Sequence, residues 1–300
     1  MPGEPWWVQR VARLLEPGDL SSLALGRLWR LCESLKFVRE NVEPALLSQD
    51  VARFPEVARV WERFEQRETQ ARHALVAARN SVRGRVSSGA LGPAAFRAEW
   101  QGLGFAAHSD NAGTPADDYL DGLFAAEHCA QLPLPFLGNP NIGSRARQAA
   151  DFISALEPGR DDVVFDIGSG SGKLALTVSA STLSQVVGVE FYSDYVDEAR
   201  STAASLSLRN ARFVASDARD VDFTPGSIFY LYHPFRGDVA STVAHALGEL
   251  AREKDIHIFS AGPTCGYGEF FEREVANGAL RLRERRGAFS EAMVLSSARD

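Results

Sequence analysis

The sequence predicts an α/β protein: a mostly parallel seven-stranded sheet that closes with an antiparallel C-terminal hairpin, preceded by an all-α N-terminal region. Three observations carry this expectation. Apolar residues in the first half recur at helical spacing, and no sustained strand pattern occurs before residue 160. From residue 161 onward short apolar runs alternate with helical stretches, the grammar of strand-helix-strand units. The last two apolar runs are joined by a short turn containing Gly287, as in an antiparallel hairpin.

In the first half, Ala24, Leu28, Leu31, Leu35 and Val38 mark one amphipathic helix, and Val57, Val60, Trp61, Phe64, Ala71, Leu75 and Ala78 mark another. Pro44, Pro55, Gly84 and residues 87–92 are expected to punctuate them. Residues 102–117, rich in glycine and polar side chains, read as a loop or a boundary. A helix is expected over 118–130, an irregular Pro- and Gly-rich segment over 132–143, and a helix over 145–156 capped by Ser144. The domain boundary is placed between residues 135 and 136.

Residues 163–165 form a short apolar run that ends in Asp166, as expected for a strand covered on both faces. Gly168, Gly170 and Gly172 follow, alternating with Ser169 and Ser171; glycines so placed admit positive φ and let main-chain N–H groups approach a ligand that a Cβ would hold off. Leu174, Ala175, Leu176 and Val178 continue as a buried helix, and a second apolar run over 186–189 ends at Glu190, 24 positions after Asp166. A right-handed strand-helix-strand unit brings that carboxylate beside the glycine turn, within reach of ribose hydroxyls. Ser193 is expected to cap a helix that runs to about residue 208 with Asp194 and Asp197 near its start. Strands follow over 212–215, 228–232 and 256–260, with a helix over 239–252 before the last of them and another over 269–276 after it. The hairpin strands are expected over 279–285 and 288–296.

A dinucleotide fingerprint is G-x-G-x-x-G, its third glycine allowing close helix packing behind a pyrophosphate. Here the third glycine comes one residue early and Lys173 stands in its place. Asp166, just before the turn, would repel a pyrophosphate but suits an ammonium next to a sulfonium. At these residues the chain resembles the class I, Rossmann-like S-adenosylmethionine-dependent methyltransferases over roughly residues 140–300. Asp166, Gly168, Gly170 and Gly172 match the superfamily's first motif, Glu190 its acid at the end of strand two, and Asp217 with Ala218 its adenine-binding motif after strand three. Val-Gly-Val-Glu at 187–190 and Tyr-His-Pro-Phe at 232–235 look like the branch of the disruptor-of-silencing histone-lysine methyltransferases and related bacterial enzymes, although that branch usually carries Asn where this chain has His233.

The resemblance implies a site. S-Adenosyl-L-methionine would lie with its methionyl end at Asp166, its carboxylate facing the N–H groups of Gly168, Ser169, Gly170 and Gly172, its ribose on Glu190 beside Phe191, and its adenine on Asp217 and the Ala218 N–H. His233 follows strand four, and an imidazole with a pKa near ~6.5 is able to take a proton from a hydroxyl or an amine. It is the candidate catalytic residue, with Tyr232 beside it. Tyr232 and Phe235 would wall the acceptor pocket, and Tyr119, His128 and Asp118 would reach it from the helical half, read as a lid that recognises substrate. For each of these a packing role is the competing explanation. The other histidines, 73, 108, 245 and 257, show no ligand spacing, so no metal is expected.

Composition bounds the function. No apolar run approaches the ~20 residues of a membrane span, and the N-terminal residues lack a basic stretch before an apolar core, so a cytoplasmic enzyme is expected. Cys32, Cys129 and Cys265 are odd in number and far apart, which fits reduced thiols. The net charge of −7 arises in residues 151–300, so a phosphate-gripping face, and with it a nucleic-acid partner, is not expected. Arg281, Arg283, Arg285 and Arg286 are read as a solvated strand face. The expected reaction is methyl transfer to an O or N atom of a small-molecule or peptide acceptor. The alternatives are a protein-lysine or nucleic-acid methyltransferase and, outside this class, a non-catalytic nucleotide- or NAD-binding protein. The helical half is also a candidate surface for a homodimer.

Overall fold

A computed structural model of the chain describes residues 11, 13–15, 18–48, 55–106, 113–124, 144–262, 268–286 and 292–298. The helices among them are α1 (Leu25–Ser48), α2 (Pro55–Ser87), α3 (Pro93–Gln101), α4 (Pro115–Phe124), α5 (Ala146–Leu156), α6 (Lys173–Ser181), α7 (Ser193–Ser205), α8 (Gly237–Glu253) and α9 (Gly268–Ala276). The strands are β1 (Val163–Ile167), β2 (Gln185–Glu190), β3 (Ala211–Ala215), β4 (Ile228–Tyr232), β5 (His257–Ala261), β6 (Leu280–Arg286) and β7 (Ala292–Ser297). The chain divides into two compact units, residues 1–84 with 104–125 and residues 85–103 with 126–300.

In the first unit the predicted stripe is the core: Leu28, Leu35, Val38, Phe64, Ala71 and Leu75 are buried. Glu68, buried among them, is held by Arg39 Nη2 at 2.6 Å and Arg72 Nη2 at 2.9 Å, so its charge is compensated. Helix α4 is closed at both ends. Thr114 and Asp117 exchange hydrogen bonds at its start, where the Thr114 hydroxyl accepts from the Asp117 N–H and Asp117 Oδ2 accepts from the Thr114 N–H. At its finish Arg79 donates to the Gly122 carbonyl and Arg83 to the Leu123 carbonyl, satisfying acceptors that a helix end leaves open. Two expectations change here. Pro44 and Gly84 punctuate nothing: each lies inside a helix, α1 and α2 respectively. The local cost of a helical glycine, ~1 kcal/mol, is small against the burial of a long apolar stripe.

The second unit holds the sheet, with strand order β3-β2-β1-β4-β5-β7-β6. All pairs are parallel except those of β7 with β5 and β6. This is the expected Rossmann-like architecture, hairpin included. The order reverses between β1 and β4, and in open sheets of this kind ligands bind at such a switch point, beyond the carboxyl ends of the strands. Leu231, Val243, Leu247, Ile258 and Phe271 form part of the core on the α8 face. On the other face Phe152 of α5 meets Tyr230 edge-on at 5.3 Å, and Tyr230 stacks on Phe259 at 5.7 Å. Residues 85–103 also belong to this unit rather than ending with the helices at 135: Trp100 of α3 is fully buried and donates its indole N–H to Ser181 Oγ of α6 at 3.2 Å.

Local boundaries move for identifiable reasons. Helix α5 starts at Ala146 with Arg145 as its cap, whose N–H is taken by the Gln148 side chain at 2.7 Å; Ser144 does not cap it. Helix α7 begins at Ser193, behind Tyr192, and stops at Ser205 because Ser207 turns left-handed at φ 55°. The arginines of β6 lie on an edge strand whose side chains 281–285 are exposed, with Arg285 paired to Glu272 and Arg286 to Glu284, a charged edge that discourages strand addition. Among the described residues no helix is long and apolar enough to cross a membrane.

Candidate functional site

The glycine turn between β1 and α6 is built by tertiary contact as much as by local flexibility. Gly168, Gly170 and Gly172 all have positive φ, at 80°, 53° and 85°. A side chain at Gly172 would meet Phe213 at 2.8 Å and Ala199 at 2.9 Å, and one at Gly168 would run into Pro234. The loop after β4 therefore sits directly on the turn after β1.

The turn's own N–H groups are committed inward. Gly168 and Ser169 both donate to the Val189 carbonyl, at 2.8 and 2.9 Å, and Gly172 donates to the Ser169 carbonyl at 2.9 Å. Gly170 donates to Glu190 Oε2 at 2.9 Å. The expectation is that these groups face a ligand carboxylate; in the structure those of Gly168, Ser169 and Gly170 bind the turn to β2 and that of Gly172 closes the turn on itself, because a tight turn must satisfy its own buried donors first.

Glu190 is thereby placed at the end of β2. Its second oxygen accepts from the Tyr192 N–H at 3.1 Å, so two main-chain donors fix the carboxylate. Asp166 is 3 % exposed and accepts from the Ala175 N–H in the first turn of α6 at 3.1 Å. Burial, and then the Glu190 charge, push its pKa up to about 7 against that one hydrogen bond. Among the described residues neither carboxylate has an ion-pair partner. Ser169 Oγ lies buried in the turn with no hydrogen-bond partner among the described residues. Two uncompensated carboxylates at adjacent strand ends fit a ligand that carries cationic centres and hydroxyl groups, as S-adenosylmethionine does.

Asp217 is arranged differently. It caps the short turn Ala218–Asp220, and Arg219 grips it from both sides: Oδ1 accepts from the Arg219 N–H at 2.9 Å and from Nε at 3.0 Å, and Oδ2 accepts from Nη2 at 2.7 Å. These bonds to Arg219 hold the Asp217 carboxyl below its ordinary range. Only Oδ2 keeps an acceptor site for an adenine amino group. Ala218 is buried, and Phe191, next to Glu190, is 55 % exposed, an apolar ring open to a flat ligand.

On the acceptor side, His233 adopts φ 45°, rare for a residue with a side chain and rarer before a proline. Its Cβ packs on Gly262, where φ is 139° and an added Cβ would approach to 2.8 Å. Burial, with a smaller contribution from Arg236, lowers the His233 pKa, so the imidazole is neutral at neutral pH and able to accept a proton. Tyr232 ends β4 half-buried, while Phe235 is 8 % exposed within the core. Tyr119 is buried in the helical unit, and Asp118 is ion-paired there with Arg30 at 3.5 Å. His128 lies outside the described residues.

Sequence reasoning gave no site role to Pro234, Gly262 or Arg219, although Pro234 stands within Tyr-His-Pro-Phe at 232–235. It also passed over Tyr230, although a tyrosine inside a buried strand needs a partner for its hydroxyl, and that signal was present.

The profile of the methyltransferase domain family matches residues 164–252. Similar solved structures include an RNA methyltransferase from Salinibacter ruber in complex with S-adenosyl-L-homocysteine, 15 % identical, with 52 % of this chain and 94 % of that chain covered and a TM-score of 0.42. A TehB-like S-adenosylmethionine-dependent methyltransferase from Corynebacterium glutamicum is 17 % identical, with coverage of 50 % and 87 % and a TM-score of 0.39. TrmN from Thermus thermophilus is 17 % identical, with coverage of 50 % and 48 % and a TM-score of 0.40. No curated protein matches the chain.

Proposed function

We propose that this chain, whose residues 164–252 match a methyltransferase domain, is a class I S-adenosylmethionine-dependent methyltransferase that transfers a methyl group to an oxygen or nitrogen of a small-molecule or peptide acceptor, with His233 as the base. The observation that carries the donor half is the pair of uncompensated carboxylates, Asp166 and Glu190, at adjacent strand ends around the glycine turn. When bound, S-adenosylmethionine supplies a methyl group on a cationic sulfur, open to in-line displacement. Asp166 meets the charged amino-acid end, Glu190 the ribose hydroxyls, Phe191 the adenine face and Asp217 Oδ2 the adenine amino group.

The protein's task is then alignment, water exclusion and removal of one proton. Pro234 on Gly168 keeps the loop that carries His233 against the turn that holds the donor. A neutral imidazole takes the proton from the acceptor's hydroxyl or amine as the new bond forms. Acceptor selection is assigned to the helical unit, which the family profile does not cover.

Calorimetry with S-adenosylmethionine, S-adenosylhomocysteine and NAD tests the reading. Binding of the first two and not of NAD is expected. Tight binding of NAD, with neither of the others bound, removes it. A nucleic-acid acceptor would announce itself as binding that weakens steeply as salt rises.

A further inference from the structure

We infer that the hydrogen bond between Tyr230 and Ser144 is a positioning device of the donor site, holding the start of α5 beside Asp166 so that the amino-acid end of the donor is gripped. The inference rests on the donor reading above and assigns a function to two residues that no motif includes.

Tyr230 is fully buried in the middle of β4, a place where an apolar residue would pack with no polar group to satisfy. It is the register partner of Asp166 on β1. Residues directly across a ladder project on the same face of a sheet, so the phenol and the carboxylate share the face that carries α5 and α6. Their proximity is felt electrostatically: burial first, and then the Asp166 charge, raises the Tyr230 pKa, while the bond to Ser144 acts against it. The phenol stays protonated.

Its hydroxyl reaches Ser144 Oγ at 3.0 Å, two residues before the first residue of α5. That side chain is thus withdrawn from the helix cap it was expected to form, and Arg145 takes the capping position instead. The ring is held from two directions, by Phe152 edge-on and by Phe259 stacked at 5.7 Å, so its hydroxyl has little choice of direction. The Ala175 N–H is bound to Asp166 and the Ser144 hydroxyl to Tyr230, so the starts of α6 and α5 are tied to the two central strands at the switch point.

The test uses two probes that differ only at the amino-acid end: S-adenosylhomocysteine, and 5′-methylthioadenosine, which keeps adenine, ribose and sulfur but lacks the amino acid. Tyr230→Phe retains the ring packing and removes one hydroxyl, so the fold is kept. It is expected to weaken S-adenosylhomocysteine about tenfold, the upper range for one hydrogen bond, and to leave 5′-methylthioadenosine within about twofold. Ser144→Ala is expected to do the same, and the double variant to be no worse than either single one, because both remove a single interaction. An equal loss for both probes would reduce the pair to a general structural role and overturn the inference, as would unchanged binding of S-adenosylhomocysteine. Failure of the unaltered protein to bind S-adenosylhomocysteine at all would instead overturn the donor reading, and this inference with it.

Discussion

The turns that follow β1 and β4 lie against each other and are built on opposite principles. After β1 three glycines take positive φ, and the turn is stapled to β2 through Val189 and Glu190. After β4 the positive φ falls on a histidine that precedes a proline, in a place where other residues would be more comfortable. The first turn relaxes into its shape because its residues permit it. The second is held there, by Pro234 on Gly168 and by His233 on Gly262. Strain kept at one residue beside a ligand site is a sign that its side chain has a task, and the contrast separates a donor end made for binding from an acceptor end made for aiming one group.

Substitutions that affect one turn and spare the other are the way to break this contrast. The largest effect is expected from His233→Ala: turnover, followed as release of S-adenosylhomocysteine, should fall about 10²- to 10⁴-fold while donor affinity stays within about threefold. Unchanged turnover would end the base assignment. Glu190→Ala should show the reverse, weakening S-adenosylhomocysteine about 100-fold in calorimetry, since it removes both a ribose contact and the acceptor for the Gly170 and Tyr192 N–H groups. Gly262→Ala should lower turnover about tenfold or more, with donor affinity intact, because the new methyl displaces the imidazole and small misplacements of a reacting group are costly.

A smaller effect concerns stability and its pH dependence. Asp166 has a folded pKa of about 7 against an ordinary value of 3.8, so the folded state binds its proton more tightly than the unfolded chain does. That contribution is fully present below about pH 3.8 and is lost as pH rises through 7. Asp166→Asn, neutral at every pH, should therefore melt higher than the unaltered protein at pH 8 without ligand, with the gap closing toward pH 4. The mildest case is a glycine that belongs to neither turn. Gly84 sits within α2 with nothing within 4 Å of where a Cβ would stand, and Gly84→Ala should stabilise the protein by ~1 kcal/mol in denaturant titration without touching binding.

Much of the sheet unit's fold was legible in the chain alone. The succession of strands and helices and the closing hairpin follow from periodicity, and periodicity is a property of neighbours in sequence. In the sheet unit the described strands and helices from β1 onward lie within a few residues of their expected bounds, whereas α3 (Pro93–Gln101) was not anticipated. What could not be read was where each polar group would spend its hydrogen bonds. Gly170 was assigned to a ligand and turned out to serve Glu190; Ser144 was assigned to a helix cap and serves Tyr230; Asp217 was assigned to adenine and is largely taken by Arg219. Each of these is a competition between acceptors brought close by folding, and a sequence names the competitors without ranking them.

The sequence by itself determined that there would be a parallel sheet with a glycine turn at its first strand and carboxylates at the ends of its first two, because alternating apolar runs have few ways to be buried and glycine alone tolerates that turn. Only the tertiary structure decided that the turn after β4 would lie on the turn after β1, that Gly262 would make room for His233, and that Asp166 would be buried with no cation beside it among the described residues. Those outcomes depend on contacts between residues tens of positions apart, where exclusion of water, rather than local preference, sets which conformations and which charges survive.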